Sequence, residues 1–238
     1  MKTREKIQAP FFEIGPKTFL WGEKALELAL FADEFSERYQ VDIIFTAQAT
    51  DLERIAHATS RIHVFAQSMD ASEPGAQFGA ILPEALIECG VEGVMLNHAE
   101  RPISLPLLCR TVCRARDVGL STLICAGNSV EAKAAACLEP DIVLVESPAL
   151  IGGGCRSQKE LSDIPQINRK IRNICSSALI MHAAGIRTPD DVYNVIRAGA
   201  EGTGSTSAIM KANDPVHTLE SMISAVKKAW NNRKQMEA

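Results

Sequence analysis

The chain has 238 residues, 46% of them hydrophobic and 23% charged, with a formal net charge of −4. This balance excludes a disordered chain and suits a folded, soluble core. An isoelectric point near 5.8, with no extended basic block, excludes a nucleic-acid backbone as partner.

No apolar run reaches the length of a membrane span, and no signal-peptide hydrophobic region precedes the first strand-like segment. Aromatic residues make up only 5% of the chain while Ala, Ile, Val and Leu are abundant, a balance that aliphatic strands packed by Ala-rich helices would give. Seven cysteines form no CxxC pair. Cys109 and Cys113 are one helical turn apart, but no His or Cys partners follow at zinc-finger spacing. The odd count and the apolar settings point to reduced thiols in a cytoplasmic protein, with no metal and no cofactor expected.

In chain order, β-like runs fall at 10–18, 41–46, 62–66, 91–96, 121–125, 141–145, 178–181 and 201–205. Several are continuously apolar ("DIIF", "TLIC", "IVLV", "ALIM") rather than alternating, the pattern of parallel strands covered on both faces. Helix-like segments lie between them. The segment 22–39 spaces its apolar residues by three and four. The segment 105–119 ends at Gly119, a plausible C-terminal stop. The segment 188–199 opens Thr-Pro-Asp-Asp and ends at Gly199, and 214–230 opens Asp-Pro, placing proline early and glycine late. Eight strand–helix units in this length predict a (β/α)8 barrel forming a single domain over 1–238. The competing doubly wound open sheet is expected to carry a Gly-rich turn after its first strand, and "GPKTF" is not one.

A barrel of this kind carries its active site at the C-terminal ends of the strands. Read so, strand 1 ends at Lys17, strand 3 at Gln67, strand 4 at Asn97–His98 and strand 6 at Glu146. Each has a structural alternative: a solvated loop charge for Lys17, a loop-opening histidine for His98, an ion pair at the rim for Glu146. Glu146 directly follows "IVLV", so partial burial is expected to raise its pKa towards that of a useful base. The run Ile151–Gly154 and the small residues at 182–185 and 204–207 offer backbone N–H groups to an anion, although glycines also simply permit tight turns. A cation, an imidazole, a carboxylate and an anion cradle at one rim suggest proton abstraction next to a carbonyl in a small phosphorylated sugar, with the developing oxyanion stabilised by His98 and Lys17.

The blocks "GPKTF", "VFAQSMD", "VEGVMLNHAERP", "VESPALIGGG", "AAGIRTPDDV" and "GSTSAIMKANDP" resemble, in order and spacing over nearly the whole chain, the triosephosphate isomerase family in its short archaeal-type form. The resemblance implies the TIM-barrel fold and glycolytic aldose–ketose isomerisation of triose phosphate without a cofactor. It assigns Lys17 as the substrate-binding cation, His98 as the electrophile, Glu146 as the base and Glu100 as a supporting carboxylate paired with Lys17. It implies a lid over about 147–153 and phosphate binding at the amides of Gly152, Gly185, Thr206 and Ser207. It also implies a neutral imidazole, a pairing with a glutamate base for which this family is the standard case. A homodimer or homotetramer is implied as well, built through an interface loop at 70–79.

The departures from the family pattern are specific. The first-strand motif Asn-x-Lys reads Gly15-Pro16-Lys17, which removes an asparagine amide from the substrate. The interface-loop threonine is replaced in Gly75-Ala76-Gln77-Phe78-Gly79. Ala99 stands for a serine, and Gly153 for the lid threonine. These changes fit either an isomerase that still takes triose phosphate or a pocket retuned for a related ketose phosphate such as an erythrulose phosphate. A weakly active metabolite-binding homologue is the reading from a different functional class.

Overall fold

Eight short strands pair in parallel and close on themselves: β1 (Phe11–Ile14), β2 (Asp42–Ala47), β3 (His63–Ala66), β4 (Gly93–Leu96), β5 (Ser121–Ala126), β6 (Ile142–Val145), β7 (Leu179–His182) and β8 (Gly202–Gly204), with β8 hydrogen-bonded back to β1. The computed structural model describes residues 6–152 and 154–237, so Gly153, part of the expected lid and glycine run, lies outside the described residues. Around the strands lie α1 (Glu23–Tyr39), α2 (Leu52–Ala58), α3 (Pro83–Glu88), α4 (Leu105–Asp117), α5 (Ser129–Ala136), α6 (Gln158–Arg172), α7 (Pro189–Arg197), the one-turn α8 (Ser207–Met210) and α9 (Pro215–Glu237). This is the (β/α)8 TIM barrel that the strand–helix repeat predicts.

The helix signals act as the sequence implies. At α7 the Thr188 side chain accepts from the Asp191 N–H while the Asp191 carboxylate accepts from the Thr188 N–H, and Pro189 fills the first turn. Two otherwise orphaned donors are satisfied this way. Beyond the helix, Gly199 adopts φ 119°, which a side chain would oppose.

Two apolar layers result from the alternation of side chains along each strand. Phe12, Ile43, Val64 and Val143 face the helices. Phe11, Ile44, Phe65, Leu123, Ile142 and Met181 fill the barrel interior. The interior is crowded: a Cβ on Gly202 would lie 2.3 Å from the Phe11 ring, and one on Gly93 would lie 2.3 Å from that of Phe65. Small residues opposite large ones let the two phenyl rings cross the barrel floor.

One boundary differs from the sequence reading. The first strand stops at Ile14 rather than running to 18, so Lys17 belongs to a turn and not to the strand tip. Pro16 has no N–H to continue the ladder, its carbonyl accepts from the Phe19 N–H, and Lys17 turns to φ 49°.

At the opposite, N-terminal end of the barrel, His63 sits buried between two carboxylates. Its Nδ1 is 2.6 Å from Glu92 Oε2, and its Nε2 is 3.7 Å from Asp42 Oδ2. Burial alone pushes the imidazole pKa down. Asp42 and Glu92 outweigh burial and raise it to about 9. Because the folded value lies above the unfolded one, this stabilisation is fully present below about pH 6.5 and is lost as pH rises through 9. The stability gap between wild type and His63→Gln, measured by urea unfolding, should therefore shrink by on the order of 2 kcal/mol between pH 6 and pH 9.5. An unchanged gap would show that the charged imidazole contributes nothing.

Candidate active site

The C-terminal rim encloses a cleft of about 700 Å³, within the range of small-molecule sites. Lys17, Gln67, His98, Glu100, Glu146 and Gly152 line it, as do Gly185, Thr206 and Ser207, so the residues singled out along the sequence share one wall-to-wall space.

Their loops are held in unusual backbone states. Lys17, Asn97 and Ala184 have φ of 49°, 58° and 64°, and they follow β1, β4 and β7. A left-handed residue other than glycine costs on the order of 1 kcal/mol and persists only where neighbours enforce it. Two enforcers are visible. Gln67 Nε2 donates to the carbonyls of Lys17 (3.2 Å) and Thr46 (3.3 Å), fixing the turn that carries the lysine. Asn97 Nδ2 donates to Cys125 O (3.1 Å) while its Oδ1 accepts from Ile103 N (3.2 Å), tying down both ends of the loop that carries His98.

His98 has a defined tautomer. The Glu100 backbone N–H donates to its Nδ1 at 3.1 Å, so Nδ1 carries no proton and a neutral ring carries its proton on Nε2. Burial and the nearby Lys17 charge push the imidazole pKa down, more than Glu100 pulls it up. Nε2 points into the cleft, 3.3 Å from Glu146 Oε1.

Glu146 follows β6 directly, its N–H donating to Ala126 O, and the residue is 7% exposed. Its Oε1 is buried and has no hydrogen-bond partner among the described residues. Burial raises its pKa to about 7, with Glu100 adding to the rise and Lys17 and Arg156 opposing it. Lys17 does not sit on this carboxylate. Its Nζ is 2.9 Å from Glu100 Oε1, an ion pair across the mouth of the cleft.

On the far side, Gly152 and Gly185 take φ of 87° and 71°. The segment after β6 makes a 3₁₀ turn at Pro148–Leu150, and the Gly154 N–H donates back to Leu150 O. A Cβ on Gly185 would lie 3.0 Å from Arg156 N and 3.4 Å from Leu150 Cδ1, so the bare glycine lets this segment rest on the tip of β7. The Arg156 guanidinium donates to the carbonyls of Ala183 and Ala184 and braces the same corner. Thr206 occupies the position before the short α8, and Ser207 begins it.

Sequence reasoning missed several residues of the cleft. Arg187 and Lys211, inside the blocks "AAGIRTPDDV" and "GSTSAIMKANDP", bring further positive charge to its edge. A second carboxyl group, Glu13, is also 7% exposed and lines the cleft from β1. The available signal was a lone charge inside the apolar run "PFFEI".

A buried carboxylate with no cation paired to it among the described residues, facing a neutral imidazole donor at the C-terminal mouth of a (β/α)8 barrel, suits an enzyme that moves a proton beside a carbonyl. Comparison with known proteins narrows it. The model of the family described as triosephosphate isomerase matches residues 18–226. Triosephosphate isomerase from Sulfurisphaera tokodaii is 37% identical over 90% of this chain and 93% of its own length. The one from Methanobacterium bryantii is 36% identical over 92% of the chain and 98% of its own, and that from Sulfolobus acidocaldarius 34% over 90% and 92%. The chain belongs to the triosephosphate isomerase family. Glu13 and Gly15 lie before the segment that the family model matches.

The tautomer of His98 is directly measurable. Nitrogen-15 NMR of the free protein at pH 6.5 should show a neutral ring protonated on Nε2 and bare at Nδ1. A signal from doubly protonated imidazolium would contradict the hydrogen bond from Glu100.

Proposed function

We propose that the chain isomerises glyceraldehyde 3-phosphate and dihydroxyacetone phosphate through an enediolate, with Glu146 as base and His98 as electrophile. The observation that carries the reading is the Glu146 carboxylate, buried, free of a direct cation and 3.3 Å from the protonated nitrogen of a neutral imidazole. With a pKa raised to about 7, it is basic enough to take a proton from the carbon beside the carbonyl and acidic enough to return it to the neighbouring carbon. The Nε2–H of His98 donates to the oxygen that becomes negative, and Lys17 supplies the positive field at the mouth. Phosphate binds at the amides of Gly152, Gly185, Thr206 and Ser207. The segment 147–153 closes over it and keeps water from the enediolate. Glu100 holds the lysine in place, and no cofactor takes part.

The chain works as one barrel domain and assembles at least as a dimer through the loop at 70–79. Support comes from Phe78, a large apolar side chain fully exposed on that loop. A reducing, cytoplasmic setting is supported by seven cysteines that are all free thiols.

Two experiments test this. Purified protein should interconvert the two triose phosphates, with the acidic limb of kcat/KM falling near pH 7, where Glu146 is protonated. Glu146→Gln should lower kcat by about 10³-fold or more, since it removes the general base. Its melting temperature at pH 8 should be equal or higher, because a buried charge is lost. A Glu146→Gln protein that retains activity, or a wild type inert on both triose phosphates, would sink the assignment. For assembly, Phe78→Glu should lower the sedimenting mass. If the mass stays unchanged, the loop is not the interface.

A further inference from the structure

The most distinctive group in the cleft is one that the proposed chemistry leaves unused. Glu13 lies on the inward face of β1, in register with Gly204 of β8 and with Ile44 of β2. Ile44 and Thr46 share the inward face of β2, so Thr46 sits one layer nearer the rim. Its hydroxyl donates to Glu13 Oε1 at 2.7 Å. This bond lifts the carboxyl group towards the floor of the cleft. Room for it comes from two missing side chains. A Cβ on Gly15 would be 2.9 Å from Glu13 Oε1, and a Cβ on Gly204 would be 3.0 Å from Oε2. Gly15 stands where the family pattern has asparagine. The asparagine amide is gone, and a carboxyl group from two residues earlier occupies the space beside it.

We propose that Glu13 is a substrate-contacting residue, whose Oε2 donates a hydrogen bond to a substrate oxygen at the floor of the cleft in place of the lost amide. The proposal rests on the reading of the cleft as the site of a small phosphorylated hydroxy-carbonyl compound. Oε1 is committed as the acceptor for Thr46, which leaves Oε2 to carry the proton. Burial raises the carboxyl pKa to about 7. The Thr46 hydroxyl opposes the rise, Glu146 across the barrel adds to it, and Lys17 opposes it. Other titratable or charged groups facing this space are Cys125 on β5, whose thiol burial holds protonated, His98 and Glu100 after β4, and Arg156 beyond β6. A carboxylic acid kept neutral by its surroundings is an effective donor to an oxygen of developing charge, whereas an ionised one would repel it.

The test compares wild type, Glu13→Gln and Glu13→Leu by calorimetric titration with two probes. Inorganic phosphate reaches only the anion cradle. Glycerol 3-phosphate also extends hydroxyl groups to the floor. Both variants are expected to fold, since each removes a buried ionisable group. At pH 6, Glu13→Leu should bind glycerol 3-phosphate about tenfold more weakly, the scale of one lost hydrogen bond, with phosphate affinity unchanged. Glu13→Gln retains a donor and an acceptor, so it should match wild type within about twofold at pH 6 and bind more tightly than wild type at pH 8.5, where Glu13 has lost its proton. Catalytic assays of the same proteins should show the loss in kcat/KM for Glu13→Leu and its rescue in Glu13→Gln.

Equal affinity of Glu13→Leu and wild type for glycerol 3-phosphate overturns the contact. So does an equal weakening on both probes, which would mark a structural role. A Glu13→Gln protein as weak as Glu13→Leu overturns the donor assignment. A wild type that binds glycerol 3-phosphate without interconverting triose phosphates refutes the isomerase reading alone, and the comparison among variants still decides the contact. A wild type that binds neither probe refutes both.

Discussion

A carboxylate taken out of water without a cation on it is expensive, by several kcal/mol in real proteins. Glu146 is such a group, and the surrounding structure maintains its state. The cation that acts most strongly on it, Lys17, is held 2.9 Å from Glu100 rather than on Glu146. Direct contact with lysine would drop the Glu146 pKa and remove the proposed role as base. His98 is the close neighbour instead, and the backbone bond to its Nδ1 leaves it neutral with a proton to offer. The Glu100 segment thus has two functions: its carboxylate engages the lysine and its N–H sets the imidazole tautomer.

The cost is carried by the barrel. A closed parallel sheet has no edge, and its interior is filled by Phe11, Phe65, Leu123 and Met181 beneath the cleft. On this rigid floor the loops after β1, β4 and β7 can hold left-handed residues that would relax in a freer chain. Gln67, after β3, locks the turn at Lys17, and the Asn97 side chain locks its own loop through Cys125 O and Ile103 N. Positions of reactive groups are therefore set by the sheet and not by the loops' own preferences.

Much of this was legible along the chain. Continuous aliphatic runs marked the buried parallel strands, because both faces of each are covered. Proline and glycine punctuated the helices, as Pro189 and Gly199 do around α7. Glu146 was legible because a charge immediately after "IVLV" must emerge at a strand end. Lys17 was placed less well. The run 10–18 looked like one strand, but Pro16 ends the ladder and leaves the lysine in a turn. Gln67 read as another polar tip, and only its contacts with two carbonyls reveal a bracing role.

By itself, the sequence determined the barrel, the family and part of the rim, since periodicity and motif order depend on residues near one another in the chain. Apart from the Lys17–Glu100 pair, which the family resemblance implies, tertiary structure decided which charges meet. Glu13 and Thr46 are 33 residues apart, and Lys17 and Glu100 are 83 apart. No local pattern encodes such contacts, because they depend on the register of strands around a closed sheet. That closure also turns Gly15 and Gly204 into the space that a second carboxyl group occupies.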